Sequence, residues 1–545
     1  MTSTPSSELG QLTILNYQSY PSTAPPRCSH LLISSTGPLE AEISYRPELQ
    51  PDNSKIFLIN LRKDIDTYLQ QVKDEKRRPN ISLVIRIHGY NVPLKSIITR
   101  EFPEASQKLA RDCAAPGMAS DDYILFVHYC WPSERIFSGG PIAWLRALPI
   151  FPLSLLVVAI AFSLLINQLA IASAVVLTFV LTLVLLRAVV YFRDRDRAAS
   201  FGVFDGVEMI RALHQILIER LTQTWPEADL QALIANRFSL SFMAHSMGSF
   251  VTTQLVRVLS DVFEQEAQSH FWDGRPDGPF QAPSACSAPE SRERVWPESQ
   301  EPVWTEPDEA SPSSAWIGEL FVLKRLILAS PDIPVWAITT GRSNYLASCL
   351  RRFQETYLFV NDADIVLRLA STLANYFVFA SRTPVGGYRL GNLSLKERGI
   401  SSKSSPRGGY GYLGVGAFSS LMVNGFHGSR SLQDQPFDCD PKKLYAFTVL
   451  DCTDYLDHAV SSGGAPRRKL SSFKATAHHL RLFNYIATVF QHLLGKCDSH
   501  GGYFNGVFCL DLIYSLAVNG RAKTLSKLPH GQQQLERVQI AWMDF

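Results

Sequence analysis

Short apolar runs recur along this chain, each ending abruptly at glycine, proline or a polar cluster. Ile81–Ile87 stops at His88-Gly89-Tyr90-Asn91, and Tyr123–Tyr129 stops at Cys130-Trp131-Pro132-Ser133. Phe238–Met243, Arg325–Ser330, Thr356–Val360 and Leu444–Leu450 have the same form. Runs this short and this continuously apolar predict strands buried on both faces, as in a mostly parallel sheet. Helical patterns lie between them: a charged stretch over Leu61–Glu75, a longer one from Phe201 to Leu221, and an amphipathic one after Ser246. In that last helix Val251, Leu255, Val258, Leu259 and Val262 fall on one face. Further helices are predicted around His478–Leu494 and from Val507. Strands alternating with helices over this distance place the chain in the α/β class.

Other segments break the alternation. Residues 1–50 are Ser/Pro-rich and predict an irregular arm with a short strand or two, leaving residues 51–545 for the sheet-bearing domain. Residues 265–314 are rich in Pro, Ser, Glu and Trp without periodicity, which predicts a disordered insertion, and residues 396–410 predict a flexible loop. From Leu148 to Leu186 no charged residue occurs, and Asn167-Gln168 divides the run near its middle. Each half matches a hydrocarbon core of roughly 30 Å. The expectation is an inserted transmembrane helical hairpin. Arg146 before it and Arg187, Arg193, Arg195 and Arg197 after it put both flanks on the cytoplasmic side. That implies a lipid bilayer partner, a multi-pass membrane location and a domain facing the cytoplasm.

Composition changes this picture little. The 545 residues are 46% apolar and 19% charged with a formal net charge of +2. With no basic stripe beside interleaved aromatics, nucleic acid is not an expected partner. Nine cysteines without a CxxC pair argue against a disulfide framework or a zinc knuckle. Gly386-Gly387 and Gly408-Gly409 lack a strand–helix setting for phosphate, so no cofactor is expected. The first residues carry no basic segment followed by an apolar stretch, and no signal peptide is predicted. Oligomeric state is left open.

The candidate chemistry centres on Ala244-His245-Ser246-Met247-Gly248, set between a buried strand and an amphipathic helix. A serine at such a corner needs small neighbours because strand and helix approach closely; here alanine stands at the first usual glycine position. A base and an orienting acid are then required. Asp362 and Asp364 both follow the Thr356–Val360 strand, and His500 sits in a later Gly-rich loop, so the order Ser, Asp, His fits nucleophilic acyl transfer. His478, His479 and His492 are the other histidines to consider as base. Two donors should face the developing oxyanion: the backbone N–H of Met247 and, from the end of the first strand, that of Tyr90. His88 reads as a strand cap and His245 as structural.

Together these motifs resemble an α/β-hydrolase family of unknown function with a strand ending in H-G-Y-N, then W-P-S, Y-x-x-D-R and H-S-M-G. The matching residues are His88-Gly89-Tyr90-Asn91, Trp131-Pro132-Ser133, Tyr191-Phe192-Arg193-Asp194-Arg195 and His245-Ser246-Met247-Gly248. Ala329-Ser330-Pro331-Asp332, Asp364-Ile365-Val366-Leu367-Arg368 and the histidine loop ending in Tyr503-Phe504 are also similar, in the family's order. The family's loop resembles G-H-S-Y-F, and this one is a residue longer. The resemblance implies an α/β-hydrolase fold with Ser246, Asp364 and His500 as the triad, favouring Asp364 over Asp362. The expected activity is serine-hydrolase cleavage of a small-molecule or lipid ester through an acyl-enzyme. The other reading is a non-catalytic, membrane-anchored scaffold on the same fold.

Overall fold

A computed structural model describes residues 15–19, 28–35, 63–66, 68–70, 80–90, 92, 96–105, 108–109, 122–133, 189–226, 238–259, 320–334, 337, 349–350, 352–361, 363–368, 389–392, 446–457, 467–468, 491, 498–504, 507–528, 534–535, 538 and 540–544. Its strands are β1 (Leu15–Ser19), β2 (Cys28–Ser35), β3 (Asn80–Ile87), β4 (Asp122–Cys130), β5 (Phe238–His245), β6 (Phe321–Ala329), β7 (Glu355–Val360), β8 (Ala446–Asp451), β9 (Leu456–Asp457), β10 (Arg467–Arg468) and β11 (Ala541–Asp544). Nine of them form one sheet in the order β1-β2-β4-β3-β5-β6-β7-β8-β11, and β9 pairs with β10 separately. From β2 to β8 every pairing is parallel; β1 and β11 close the two edges antiparallel. The sheet thus takes in two strands from the segment read as an arm.

Both faces of the sheet are covered. On one face, Ile85, Val127, Phe242 and Leu328 pack with α1 (Val203–Thr224) and α2 (Met247–Val258). On the other, Val84, Phe126, Met243 and Phe359 pack with α3 (Val507–Lys527). Burial on two sides explains why the strands read as unbroken apolar runs. Val251 and Leu255 in α2 and Leu259 at its C-terminal cap are buried as expected, each contributing about 1.5–3 kcal/mol on leaving water. Val258 turns outward instead, with 46% of its surface exposed, and Val262 lies outside the described residues.

The transmembrane hairpin is corrected. Among the described residues no helix is long and apolar enough to cross a membrane. The longest, α1 with 22 residues, has the length but not the surface, and α3 is broken at Gly520 (φ 72°, ψ −177°) into two shorter helical pieces. Asp205, Glu208, Arg211, Glu219 and Arg220 interrupt α1, and Asp511, Arg521, Lys523 and Lys527 interrupt α3. A charge at mid-bilayer costs about 2.5–3.5 kcal/mol or more. The lipid bilayer partner, the multi-pass location and the orientation toward the cytoplasm go with the hairpin. Leu148–Leu186 itself lies outside the described residues, as do 265–314 and 396–410.

Strand order positions the site. The chain proceeds from β3 to β4 on one side and then returns to β5 on the other, so β3 and β5 are neighbours at the point where direction reverses. In parallel sheets such a switch opens a crevice at the carboxyl ends of the strands. Here it brings Gly89-Tyr90 beside Ser246.

Candidate active site

Ser246 joins β5 to α2 with φ 52° and ψ −122°, a conformation costly for any residue with a Cβ. Hydrogen bonds on both sides hold it there. The Ser246 N–H donates to the Ala329 carbonyl at 2.9 Å, and the Ser246 carbonyl accepts from Asp332 N–H at 3.1 Å and Ser249 N–H at 3.0 Å. Close approach explains the small neighbours. A Cβ on Gly248 would stand 2.3 Å from the His88 carbonyl oxygen and 2.7 Å from that of Ile87. One on Gly89 would stand 2.6 Å from His245 Nδ1 and 3.0 Å from Ser246 Cβ.

Three of the sequence-derived residues meet. His500 Nε2 lies 2.7 Å from Ser246 Oγ, and His500 Nδ1 lies 2.7 Å from Asp364 Oδ2. Asp364 is fully buried, and its carboxylate also accepts from the Ser330 hydroxyl and, at 3.0 Å, from Leu367 N–H. Those donors fix the plane of the carboxylate toward the ring. Burial by itself would lower the His500 imidazole, but the Asp364 charge and hydrogen bond, aided by Asp498 and Asp332, raise it above 6.5. Asp362, the other acid considered, lies outside the described residues, as do His478, His479 and His492.

The loop carrying His500 is held from several directions. Asp498 accepts from His500 N–H at 3.2 Å and Gly501 N–H at 2.8 Å, while Asn361 Nδ2 donates to the Ser499 carbonyl at 2.7 Å. His245 contributes too: its ring Nε2 lies 3.0 Å from the His500 carbonyl, with the two rings 4.9 Å apart. Burial, followed by the nearby His500, keeps His245 well below the usual histidine range, so it is a neutral Nε2–H donor. Its structural reading therefore extends to holding the histidine loop. Ser330, Asn361 and His245 were not read as site residues. Ser330 and Asp332 fall within a motif noted for its resemblance, which was the available signal.

The oxyanion candidates are placed as follows. Met247 is the first residue of α2, where main-chain N–H groups lack acceptors within the helix. Tyr90 follows β3 at the same crevice, its ring edge-on to Tyr191 at 6.0 Å. His88 is buried and stacked on Trp131, ring centroids 5.3 Å apart. Its Nε2 lies 3.1 Å from the Trp131 carbonyl, whose own indole N–H donates back to the His88 carbonyl at 2.8 Å. A cleft of about 320 Å³ opens beside His500, with Gly89, Tyr90, His245, Arg86 and Phe504 among its walls.

No family model, curated protein or solved structure matches this chain. Among the described residues, no group of three or more His, Cys, Asp or Glu is arranged to hold a metal ion.

Proposed function

We propose that this chain is a serine hydrolase of the α/β-hydrolase superfamily, of the family with H-G-Y-N, W-P-S and H-S-M-G motifs, cleaving a small-molecule ester through an acyl-enzyme. The observation that carries the proposal is the pair of 2.7 Å contacts that links Ser246, His500 and Asp364 in one line. In the acylation step, Ser246 Oγ bonds to the ester carbonyl carbon as its proton passes to His500 Nε2. Met247 and Tyr90 N–H groups receive the oxyanion. Collapse breaks the bond to the alcohol, which leaves with the proton from His500. Water then repeats the sequence, yielding the carboxylic acid and free Ser246. Asp364 holds the Nδ1–H tautomer throughout and stabilises the imidazolium.

The strained elbow supports the same reading. A backbone cost of about 1–3 kcal/mol at one serine is explained if that serine must project its hydroxyl toward the crevice. The test is turnover of p-nitrophenyl acetate by the full chain against S246A. Loss of about three orders of magnitude or more in the folded variant is expected. Equal turnover would overturn the proposal.

A further inference from the structure

Two segments near the elbow have no part in the steps above: the Tyr191 motif and Ala329-Ser330-Pro331-Asp332. The fold brings them together with Arg389. The Tyr191 hydroxyl donates to Asp332 Oδ2 at 2.8 Å, Arg389 Nε lies 2.9 Å from Asp332 Oδ1, and Arg389 Nη2 donates to the Tyr191 oxygen at 3.2 Å. All three are buried, Arg389 completely. Main-chain bonds tie the cluster to the elbow. Besides the Asp332 N–H on the Ser246 carbonyl, Gly391 N–H reaches the Pro331 carbonyl at 3.1 Å and Leu390 N–H that of Ile333 at 2.9 Å. On its other side the Tyr191 ring packs against Tyr90. One cluster therefore touches both the nucleophile's carbonyl and the turn bearing an oxyanion donor.

We propose that Tyr191, Asp332 and Arg389 form a positioning unit that sets Ser246 relative to Tyr90 and, through the Asp332 N–H on the Ser246 carbonyl, adds a third carboxylate to Asp364 and Asp498 around the Ser246–His500 pair. Its consequence for turnover rests on the serine-hydrolase reading; its effect on His500 does not. A buried ion pair is a poor source of stability, because desolvation largely cancels the attraction. Beside a strained serine, a geometric task explains it better. The carboxylates acting on His500 are Asp364 after β7, Asp498 on its own loop and Asp332 after β6; the His245 ring lies 4.9 Å away at the end of β5, and Arg86 lines the same cleft. The three carboxylates raise the imidazole against burial, and His245 stays neutral.

The experiment follows the His500 ring by NMR titration in the full chain, with its signal identified by loss in H500Q, for wild type, D332N and Y191F. D332N should lower the His500 midpoint by about 0.5 unit or more, the scale of one partly screened charge. Y191F keeps both charges and should leave the midpoint near wild type. It should slow fluorophosphonate labelling of Ser246 by roughly ten- to a hundred-fold, with KM for p-nitrophenyl acetate and thermal midpoint little changed. An unmoved midpoint in folded D332N overturns the electrostatic part. Wild-type labelling by Y191F overturns the positioning part, and that variant carries the test if D332N does not fold. A wild-type chain that never labels, alongside a D332N shift in His500, overturns the hydrolase reading while supporting the third carboxylate.

Discussion

Replacing Asp364 by asparagine changes one atom and should remove nearly all turnover. Asp364 acts only as an acceptor: Oδ2 faces His500 Nδ1 and the Ser330 hydroxyl, and Oδ1 faces Leu367 N–H. An asparagine must turn its NH2 toward one side. If the amide oxygen keeps the Leu367 bond, the NH2 donates to His500 Nδ1. The ring proton then moves to Nε2, which donates to Ser246 and can no longer take its proton. If the oxygen instead faces His500, the NH2 opposes Leu367 N–H, leaving two buried donors in contact at a cost of about 1–3 kcal/mol. The first arrangement is favoured, and it is inactive. The expected loss is about a thousand- to ten-thousand-fold in kcat/KM, equivalent to about 4–5 kcal/mol of transition-state stabilisation. The assay is p-nitrophenyl acetate hydrolysis with circular dichroism as a control for folding. Folded D364N retaining more than a tenth of wild-type kcat/KM would refute the tautomer argument.

Because His500 is raised above 6.5 and must be neutral to accept the serine proton, kcat/KM should fall as pH drops through a midpoint above 6.5; a midpoint below 6.5 would contradict the Asp364 pairing. Gly248→Ala should destabilise by about 3 kcal/mol or prevent folding, since its Cβ meets main-chain oxygens of β3 and the following turn that cannot give way; unchanged urea denaturation would contradict the close approach. His30 and His88 are both lowered to about 4 by burial, so their unfolded forms bind protons first. Their contribution is complete above 6.5 and lost as pH falls toward 4, roughly 2 kcal/mol each at pH 5. H30Q and H88Q should flatten that acid limb in equilibrium unfolding, and an unaltered slope would refute it.

The central strands were legible because parallel strands buried on both faces leave an unbroken apolar signature. β6 shows the limit of that signal. It begins at Phe321, earlier than the apolar run suggested, with Lys324 and Arg325 inside it. Arg325 is accommodated by Glu355 at 3.2 Å and by the Val518 carbonyl at 2.9 Å, partners contributed by β7 and α3. β2 was obscured differently: Cys28-Ser29-His30 and Ser34-Ser35 frame only three aliphatic residues in a Ser/Pro-rich setting. At the site, chain order and the strand–helix corner pointed to Ser246 and His500 and to either Asp362 or Asp364, and the motif resemblance favoured Asp364. Ser330 and Asn361 escaped because their roles exist only once the ends of β6 and β7 meet the 498–504 loop. His245 reads as structural in the sequence; in the fold its ring meets the carbonyl of His500 and lines the same cleft as His500. The uncharged run Leu148–Leu186, its Asn167-Gln168 division and its flanking arginines prompted a membrane reading, and the described helices do not support it.

The most direct test of the account is the site of fluorophosphonate attachment, read by mass spectrometry after tryptic digestion. Ser246 lies in the peptide Phe238–Arg257 with Ser239, Ser241 and Ser249, so fragmentation can distinguish the four serines. One phosphonyl adduct is expected, on Ser246, absent from S246A and from H500Q in folded protein. An adduct on another residue, or a folded wild-type chain that takes up no probe, would contradict it.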